Sequence, residues 1–380
     1  MRTADIKKIQ MVDLRSQYEK IKPEIDAAMQ EVIDQSAFIN GPQVRLFAGE
    51  LQEYLGCKHV VTCGNGTDGL QIAMMALGFK PSDEVIVPAF TYVAAVEAIA
   101  LLGLKPVFVD VDPSTFQIDV DQLEEKITQK TVCIIPVHLF GQCADMEKIM
   151  QLATRHQLKL LEDAAQSIGA EYVFEDGRKM QSGTMGDIGI TSFFPSKNLG
   201  CFGDGGAMMT NNPDLAERLR MIASHGQKRK YIHDAIGVNS RLDTLQAAVL
   251  QVKLKYLDSY IKSRNKVAEK YDAAFKYNPN LQIPVRMNGS SHTFHQYTLR
   301  LKDMERESFS KYLTEKGVPT MVYYPMPVHL QEAYKFLGHQ KGDFPVAEAL
   351  CGEVISLPMH TEMEDEQQAY IIKSINSFFG

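Results

Sequence analysis

The chain has 380 residues, of which 45% are hydrophobic and 23% are charged, as in ordinary globular proteins. This composition excludes disorder, collagen-like repeats and low complexity as the main state, and the length predicts two or three packing units. The net charge of −7, from 40 basic and 47 acidic residues, lacks the basic excess that phosphate-dominated binding needs, so we expect no nucleic-acid partner.

The N-terminus and the cysteines favour a cytoplasmic location. Residues 1–14 carry charges but lack the apolar core of a signal peptide. The most apolar stretch, 93–109, is interrupted by Glu97 and Lys105 and is unsuited to span a membrane. The six cysteines form no CxxC pair, which favours buried free thiols over disulfides. We therefore predict a soluble cytoplasmic protein with no membrane contact.

Short β-branched runs alternate with helical patterns from residue 59 onwards. Strands are predicted at 59–62, 84–88, 106–110, 133–137 and 158–163, and helices at 68–77, 93–102, 121–127 and 145–156. Alternation at this spacing is typical of βαβ units and predicts a largely parallel sheet. Because the strands are continuous apolar runs, both faces of the sheet should be covered.

Beyond residue 163 the pattern changes. Strands are predicted at 171–174, 188–194 and 207–210, followed by a long helix over 241–275. The remainder is typical of an α+β unit, with strands at 296–301 and 320–324 and helices at 307–315 and 364–378. We therefore predict a large α/β domain over 12–255 and a smaller C-terminal α+β domain over 256–380.

The first segment with chemical character is CGNGTDG at 63–69, between a predicted strand and a predicted helix. Its glycines let the backbone approach an anion, and the helix N-terminus offers free N–H groups at the positive end of its dipole. The segment also satisfies GxGxxG, but the acidic residue that a dinucleotide site requires about 20 residues later, after the next strand, is missing. Phosphate binding is therefore favoured over a dinucleotide site or a structural turn.

Asp163 and Lys197 provide two further chemical groups. Asp163 ends a predicted parallel strand, where α/β sheets place ligands, although taken alone it suits the N-cap of the next turn. Lys197 follows an apolar strand in a glycine-rich turn, where lost solvation would lower its pKa, although taken alone it is typical of a solvated loop. Pyridoxal phosphate requires an anion site, a carboxylate for its ring nitrogen and an amine for its aldehyde. The three segments in this order predict such a site.

Several longer segments match one family of enzymes. They are FINGP (38–42), CGNGTDGLQIA (63–73), PAFTYVAAVEA (88–98), GQCADM (141–146), EDAAQSIGA (162–170), SFFPSKNLGCFGDGGA (192–207), the stretch 224–250 with RLDTLQAA, and SLPMH (356–360). In these motifs the chain resembles the DegT/DnrJ/StrS sugar aminotransferases. The resemblance implies a fold-type I α/β architecture and pyridoxal phosphate-dependent transfer of an amino group from L-glutamate to a nucleotide-linked keto-sugar.

Within the family, the chain is most similar to enzymes that aminate carbon 3 of UDP-2-acetamido-2-deoxy-3-keto-glucuronate for surface polysaccharides such as lipopolysaccharide O-antigen. The resemblance implies that the catalytic Lys197 holds pyridoxal 5′-phosphate as an internal aldimine, and that the cofactor becomes pyridoxamine phosphate during the reaction. Lys197 would also move the proton between the substrate and cofactor carbons. Asp163 would pair with the pyridine nitrogen and keep it protonated. Gln166 would bond the phenolic oxygen, and Tyr92 would stack on the ring.

The resemblance also implies a phosphate site and an assembly. Gly66, Thr67 and Ser192 would hold the phosphate, joined by Asn239 from the second subunit. That last contact predicts a homodimer with two shared active sites.

Substrate contacts come from charged and aromatic residues in the second half of the chain. Lys228 and Arg229 suit a nucleotide diphosphate, and Arg241 suits a carboxylate or phosphate, with a solvated charged loop as the alternative. Tyr324 and His329 lie in a segment where related enzymes place sugar-recognising residues.

Other functions stay open at this point. The similar enzymes that act on the keto-glucuronate carry His where Tyr323 stands, and the ending around 323–331 resembles that of enzymes acting on dTDP-linked 3-keto-6-deoxyhexoses. A dTDP-3-keto-6-deoxyhexose aminotransferase is therefore the alternative. An NAD-dependent dehydrogenase and a non-enzymatic regulator are more remote. The histidine spacings lack the carboxylate or cysteine neighbours of a metal site, so we predict no metal.

Overall fold

A computed structural model describes residues 7–380 and contains twelve α-helices in that range. They are Leu14–Gln35 (α1), Pro42–Leu55 (α2), Gly66–Leu77 (α3), Ala94–Leu101 (α4), Leu123–Lys126 (α5), Met146–His156 (α6), Pro213–Ala223 (α7), Thr244–Leu254 (α8), Leu257–Phe275 (α9), Arg306–Glu315 (α10), Pro345–Glu353 (α11) and Asp365–Asn376 (α12).

The strands form one large sheet and three small ones. In chain order they are His59–Cys63 (β1), Glu84–Pro88 (β2), Lys105–Val109 (β3), Thr131–Ile134 (β4), Lys159–Asp163 (β5), Glu171–Val173 (β6), Lys179–Gln181 (β7), Ile188–Ser192 (β8), Gly206–Thr210 (β9), Gln227–Arg229 (β10), Ile232–His233 (β11), Leu281–Gln282 (β12), Tyr297–Leu301 (β13) and Val354–Leu357 (β14). The large sheet has seven strands in the order β1-β9-β8-β5-β4-β2-β3.

The large sheet confirms the predicted α/β class with a mostly parallel sheet. Strands β3, β2, β4, β5 and β8 pair in parallel, with Asp163 opposite Ile190, whereas β9 runs antiparallel to both of its neighbours. All five residues of β2 and of β9 are buried, as expected for strands that are covered on both faces. The parallel arrangement brings the carboxyl ends of β5 and β8 side by side.

A smaller antiparallel sheet, β12-β13-β14, lies in the C-terminal third of the chain. Its core includes Tyr271 from α9, Phe309 from α10 and Ile371 from α12, all fully buried. The main hydrophobic core also takes in residues on both sides of the predicted boundary, since Val87 and Leu350 belong to one cluster. The division at residue 255 therefore stays a prediction.

Two predicted elements differ from the structure. The helix predicted over 241–275 is two helices, because the N–H of Tyr256 bonds to the carbonyl of Lys253 in a tight turn that ends α8. The strand predicted at 320–324 makes only one bridge, Met321 to Ser356. Pro325 and Pro327 come directly after that segment, and proline has no N–H to extend a ladder.

The predicted strand over 171–174 is found in the structure outside the large sheet. Its residues form β6, which pairs with β7 in a separate two-stranded sheet instead of joining the large one. The β6–β7 hairpin lies directly before β8, so it separates two strands that are neighbours in the large sheet.

The cysteines and the helices bear on the predicted compartment. All six cysteines are buried free thiols, as predicted. Among residues 7–380, the helices all fall short of the length and apolar character that crossing a bilayer requires.

Candidate active site

The candidate site lies where β5 and β8 end. Asp163 is the last residue of β5, and Ser192 is the last residue of β8, so the parallel pairing places both at the same edge of the sheet. Lys197 comes five residues after Ser192, in a turn closed by its own N–H bonding to the Phe194 carbonyl at 2.8 Å. The carboxyl edge of a parallel sheet is where such folds bind ligands.

Lys197 has the electrostatic setting of a reactive amine. The surrounding protein removes water from its ammonium group and lowers its pKa to about 8. The nearby Asp163 carboxylate acts in the opposite direction, since its negative charge favours the protonated amine. About a tenth of the Lys197 amine is therefore neutral and nucleophilic at pH 7, far more than of an ordinary lysine.

Asp163 faces Lys197 from the end of β5. Its side chain is buried, and this burial raises its pKa, while the N–H of Ala165 and the charge of Lys197 act to lower it. Oδ1 accepts the N–H of Ala165 at 3.1 Å, so the carboxylate also has the turn-stabilising role that the sequence allows. A carboxylate in this position can pair with a cationic ring nitrogen.

The anion-binding turn precedes α3. The side chain of Asn65 accepts the N–H of Asp68 at 2.8 Å, which caps the helix and leaves the first-turn N–H groups of Gly66 and Thr67 free for a ligand. A Cβ on Gly66 would lie 3.0 Å from the Cβ of Ser192. The structure thus brings three of the predicted phosphate ligands together.

Two tyrosines and a glutamine line the same region. The rings of Tyr92 and Tyr324 lie 5.9 Å apart, and the Tyr92 residue is 56% exposed. Gln166 accepts the N–H of Phe140 at 2.8 Å and donates one amide hydrogen to the Tyr324 hydroxyl at 3.1 Å. Its second amide hydrogen stays available to a ligand. Burial raises the pKa of Tyr324, so its hydroxyl keeps its proton at neutral pH.

Buried polar atoms support the fit of a polar cofactor. Within residues 7–380, Thr91 Oγ1 and Asn198 Oδ1 are buried without a hydrogen-bond partner, and in the chain one is next to Tyr92 and the other next to Lys197. Buried polar groups normally have partners, so these two atoms suit a bound polar group. The Lys197 amine, the Asp163 carboxylate and the N–H groups at the start of α3 supply the three kinds of group that pyridoxal phosphate requires, so the site fits this cofactor.

His295 is a neighbour of Lys197 that sequence reasoning missed. Burial, together with the charges of Lys197 and Arg264, holds the pKa of His295 well below its usual range, so the ring is neutral. In the sequence, the spacing of His292 and His295 lacks the neighbours of a metal site and favours structural or substrate-side histidines, without indicating Lys197 as a neighbour. Burial also lowers the pKa of His292, to about 3. The proximity of His295 to Lys197 joins segments about 100 residues apart, which one sequence does not reveal.

Arg241 and Asn239 lie near the anion-binding turn of their own chain. Ser240, between them, accepts the N–H of Gly64 at 2.8 Å and donates to Asp68 at 2.6 Å. Asn239 is exposed, and Arg241 is half-buried. The side chain of Asn239 is therefore free to reach another subunit.

Lys228 and Arg229 lie on the exposed hairpin formed by β10 and β11. Lys228 pairs with Glu217 of α7 at 2.6 Å, and both side chains are exposed. Their proposed contact with a nucleotide remains a prediction, since this hairpin is tied to α7 and not to the Lys197 turn.

His329 lies in the interior, and its predicted contact with the substrate stays a prediction. Its side chain is buried, its ring lies 4.7 Å from that of Phe344, and Nε2 bonds to Glu348 at 3.1 Å. The residue falls in a short helix, 328–330, that turns the ring into the core beside Phe108. The ring thus packs in the core, while its Nδ1 is buried without a hydrogen-bond partner among the described residues.

Relatives of similar length match nearly the whole chain. A "pleiotropic regulatory protein" of Geobacillus stearothermophilus is 46% identical over 373 residues, 98% of each chain. A UDP-2-acetamido-2-deoxy-3-oxo-D-glucuronate aminotransferase of Pseudomonas aeruginosa is 46% identical over 357 residues, 94% of this chain and 96% of the relative. A dTDP-3-amino-3,4,6-trideoxy-alpha-D-glucose transaminase of Streptomyces venezuelae is 38% identical, covering 99% of this chain and 97% of the relative.

Solved structures match the fold. DesV of S. venezuelae in complex with a ketimine intermediate has a TM-score of 0.94 and 38% identity, and the match covers 98% of this chain and 99% of that one. NtdA of Bacillus subtilis with bound cofactor PMP has a TM-score of 0.89 and 30% identity, covering 99% of this chain and 86% of that one. These matches, with the mostly parallel sheet, confirm the fold-type I architecture.

A family model matches residues 19–376, nearly the whole chain. Its description, the aminotransferase relatives and the cofactor-bound structures agree with the lysine, carboxylate and anion-binding turn found at the edge of the sheet. The chain belongs to the DegT/DnrJ/EryC1/StrS aminotransferase family.

Proposed function

We propose that this enzyme transfers the amino group of L-glutamate to carbon 3 of UDP-2-acetamido-2-deoxy-3-keto-glucuronate, in the cytoplasm, for synthesis of a surface polysaccharide such as lipopolysaccharide O-antigen. It is a pyridoxal phosphate-dependent sugar aminotransferase by family. The observation that carries the proposal is the meeting of Lys197, Asp163 and the first turn of α3 at one edge of the sheet. The choice of sugar is supported by the relative from P. aeruginosa at 46% identity.

The chemistry divides between the cofactor and the protein. Pyridoxal phosphate, when bound, supplies an electron sink for the carbon that loses its proton. Lys197 would bind the cofactor's aldehyde and afterwards carry the proton between substrate and cofactor carbons, which its pKa of about 8 permits in both directions. Asp163 would hold the pyridine nitrogen in its protonated form by its negative charge.

The remaining residues would orient the cofactor. The N–H groups of Gly66 and Thr67 and the Ser192 hydroxyl would bind its phosphate, assisted by the positive end of the α3 dipole. Tyr92 would stack on the ring, and the free amide hydrogen of Gln166 would bond its phenolic oxygen.

We further propose a homodimer in which Asn239 of each chain completes the phosphate site of the other. Large apolar side chains are exposed near these segments: Phe194 by 53%, Tyr231 by 79% and Ile236 by 86%. Large apolar side chains that are exposed in a single chain are typical of a surface that another chain covers. Tyr231 and Ile236 lie in or next to the hairpin that carries Lys228 and Arg229. The dimer would therefore also place this hairpin, and its proposed contact with a nucleotide would form there.

The alternative substrate is a dTDP-linked 3-keto-6-deoxyhexose. It is favoured by the S. venezuelae relative and by the Tyr323–Tyr324 segment, which differs from the segment expected for a keto-glucuronate enzyme. The remote alternatives have less support. For an NAD-dependent dehydrogenase, the support is the GxGxxG pattern at the start of α3, in a chain that belongs to an aminotransferase family. For a non-enzymatic regulator, the support is the name of the G. stearothermophilus relative, which describes that protein only.

The visible absorbance of the purified enzyme tests the first half of the reaction. We expect a yellow band that fades when L-glutamate is added, and no such change for Lys197→Ala, which should keep the native circular dichroism spectrum. Fading without glutamate dependence, or normal turnover by the variant, would contradict the proposal. Adding either keto-sugar to the glutamate-treated enzyme then identifies the acceptor, because only the true one restores the band quickly.

A further inference from the structure

The buried pair His138 and Glu162 lies next to the site but has no part in the proposed reaction. Neither side chain is exposed, and Nε2 of His138 lies 2.9 Å from Oε2 of Glu162. Glu162 directly precedes Asp163 in β5, and successive strand residues point to opposite faces of a sheet. Glu162 therefore lies behind the face that carries the Asp163 carboxylate.

The hydrogen bonds fix the protonation of His138. The N–H of Ala144 donates to Nδ1 of His138 at 3.1 Å, so Nδ1 is an acceptor and carries no proton. The ring proton is on Nε2, where it points at the Glu162 carboxylate. A doubly protonated ring would set one N–H against another. The pair is thus a neutral imidazole donating to a carboxylate.

Glu162 collects donors from a second segment. Oε2 also accepts the N–H of Gly183 at 2.9 Å, and Oε1 accepts the N–H groups of Met185 and Gly186, both at 2.6 Å. These residues form the turn before β8, the strand that leads to Ser192 and Lys197. One carboxylate therefore joins the end of β5 to the approach to the lysine turn.

The backbone of His138 holds Asp163 directly. The N–H of His138 donates to the Asp163 carbonyl at 2.9 Å, and the N–H of Asp163 donates to the Pro136 carbonyl at 2.9 Å. Displacement of the His138 ring would therefore pull on both backbone bonds of Asp163. The segment 136–138 comes after β4, the other strand that pairs with β5.

We propose that His138 and Glu162 form a positioning pair that holds the Asp163 carboxylate in place against the pyridine nitrogen of the cofactor, from the opposite face of the sheet. The inference rests on the proposed role of Asp163. The pair touches neither cofactor nor substrate, so it acts through Asp163 and through the turn before β8. Its loss should weaken cofactor binding and change the protonation behaviour of the bound cofactor, besides lowering stability.

Glu162→Gln tests the pair with little change in volume. The four N–H groups that donate to the Glu162 carboxylate would then meet an amide with a single oxygen acceptor, so at least one of these hydrogen bonds is lost. Glu84→Gln is a matched control, because Glu84 is also a buried strand glutamate, bonded by Lys105 and Thr128 at the opposite edge of the sheet. The readouts are the dissociation constant of pyridoxal phosphate and the midpoint of the pH titration of the holoenzyme's visible band.

We expect Glu162→Gln to raise the dissociation constant about tenfold or more, as loss of an outer-shell partner does at metal sites, and to move the titration midpoint. Glu84→Gln should lower the melting temperature and leave both readouts unchanged. Unchanged readouts in Glu162→Gln, or equal changes in both variants, would overturn the positioning role.

Two further variants keep the result interpretable. If Glu162→Gln fails to fold, His138→Ala and His138→Gln replace it, since glutamine offers both a donor and an acceptor and should recover part of the binding that alanine loses. Equal losses in these two variants would overturn the proposal. Asp163→Asn distinguishes failure of the proposed role of Asp163 from failure of the positioning pair. If it changes neither readout, the proposed role of Asp163 is wrong. If it changes both while Glu162→Gln changes neither, only the positioning role of His138 and Glu162 is wrong.

Discussion

At the scale of single residues, the site depends on opposite shifts in the pKa values of Asp163 and Lys197. Burial raises the pKa of Asp163 and lowers that of Lys197, while the charge of each group partly restores the ionised form of the other. The sequence predicts both residues because each comes at or after the end of a strand and their order matches the needs of pyridoxal phosphate. It does not predict the size of either shift, since burial depends on side chains from distant segments such as His295.

The lowered pKa of Lys197 predicts how fast the apoenzyme captures pyridoxal phosphate at different pH. Only the neutral amine attacks the aldehyde, so the capture rate should rise with pH and level off above about 8, where an ordinary lysine would continue to gain rate up to about 10.4. Stopped-flow absorbance of the apoenzyme measures this profile.

The same profile in Asp163→Asn provides the control. The Asp163 charge stabilises the protonated amine, so its removal should move the inflection to lower pH. An inflection near that of free lysine in the native enzyme would contradict the described burial of the amine. A shift to higher pH in the variant would contradict the interaction with Asp163.

Gly66 provides a second prediction at this scale. Its missing side chain allows close approach, because a Cβ there would lie 3.0 Å from that of Ser192, beside the proposed phosphate site. We expect Gly66→Ala to raise the dissociation constant of pyridoxal phosphate about tenfold, from a packing conflict of roughly 1–3 kcal/mol. Fluorescence or absorbance titration of the apoenzyme measures this constant.

Gly49→Ala is the matched control for Gly66→Ala. Gly49 also lies in a helix, α2, but its added Cβ would meet no atom within 4 Å. Alanine is the better helix former, so this variant should be as stable or more stable, by up to about 1 kcal/mol, with unchanged cofactor binding. Similar losses of binding in both variants would show that the Ser192 contact is unimportant.

At the scale of elements, local patterns predict the strands of the large sheet and fail where the extent of an element depends on packing against distant segments. The buried strand Glu84–Pro88 is found as predicted because its run of apolar residues is local. The pattern over 241–275 is helical throughout, yet one helix ends at Leu254 and the next begins at Leu257. Leu257 is fully buried in one cluster with Phe47 and Phe193, and such contacts with distant segments are not described by helical propensity.

Asp110 shows how one residue connects two elements. It comes directly after β3, and its carboxylate accepts the N–H groups of Val346 and Ala347, in the first turn of α11, at 2.9 and 2.8 Å. Phe344, the residue before that helix, gives it no side-chain cap. Asp110 therefore caps a helix that lies 236 residues later in the chain.

We expect Asp110→Ala to lower the free energy of unfolding by about 1–3 kcal/mol, because it leaves three N–H groups, those of Val111, Val346 and Ala347, without this acceptor. Asp110→Asn keeps one carbonyl oxygen and should lose less. Urea unfolding monitored by circular dichroism measures both. Equal stability of the alanine variant and the native enzyme would exclude the capping role.

At the scale of the whole molecule, the proposed dimer would cover three large apolar side chains that are exposed in the single chain. Phe194 is three residues before Lys197, and Tyr231 and Ile236 lie on either side of the β10–β11 hairpin's second strand, before Asn239. The sequence indicates a role for Asn239 only through the family resemblance. No local feature distinguishes an exposed asparagine that contributes to the phosphate site of its own chain from one that contributes to the site of another chain. Subunit mixing can make this distinction.

Two inactive variants should therefore complement each other. Lys197→Ala lacks the reactive amine, and Asn239→Ala would lack the phosphate contact that it gives to the other subunit. In a heterodimer of the two, one site has Lys197 from one chain and Asn239 from the other, so it is native, while the second site lacks both. Random pairing of equal amounts makes about half of the dimers mixed, so about a quarter of all sites should be native.

Co-expression of the two variants with different affinity tags, and then isolation of the doubly tagged dimer, measures this effect by turnover. We expect the isolated heterodimer to have about half of the native activity, well above either homodimer. If Asn239 serves the phosphate site of its own chain, the heterodimer has no intact site, because the subunit with Lys197 then lacks its own asparagine. An inactive heterodimer would thus assign each active site to a single chain, and a doubly tagged dimer that never forms would exclude the homodimer itself.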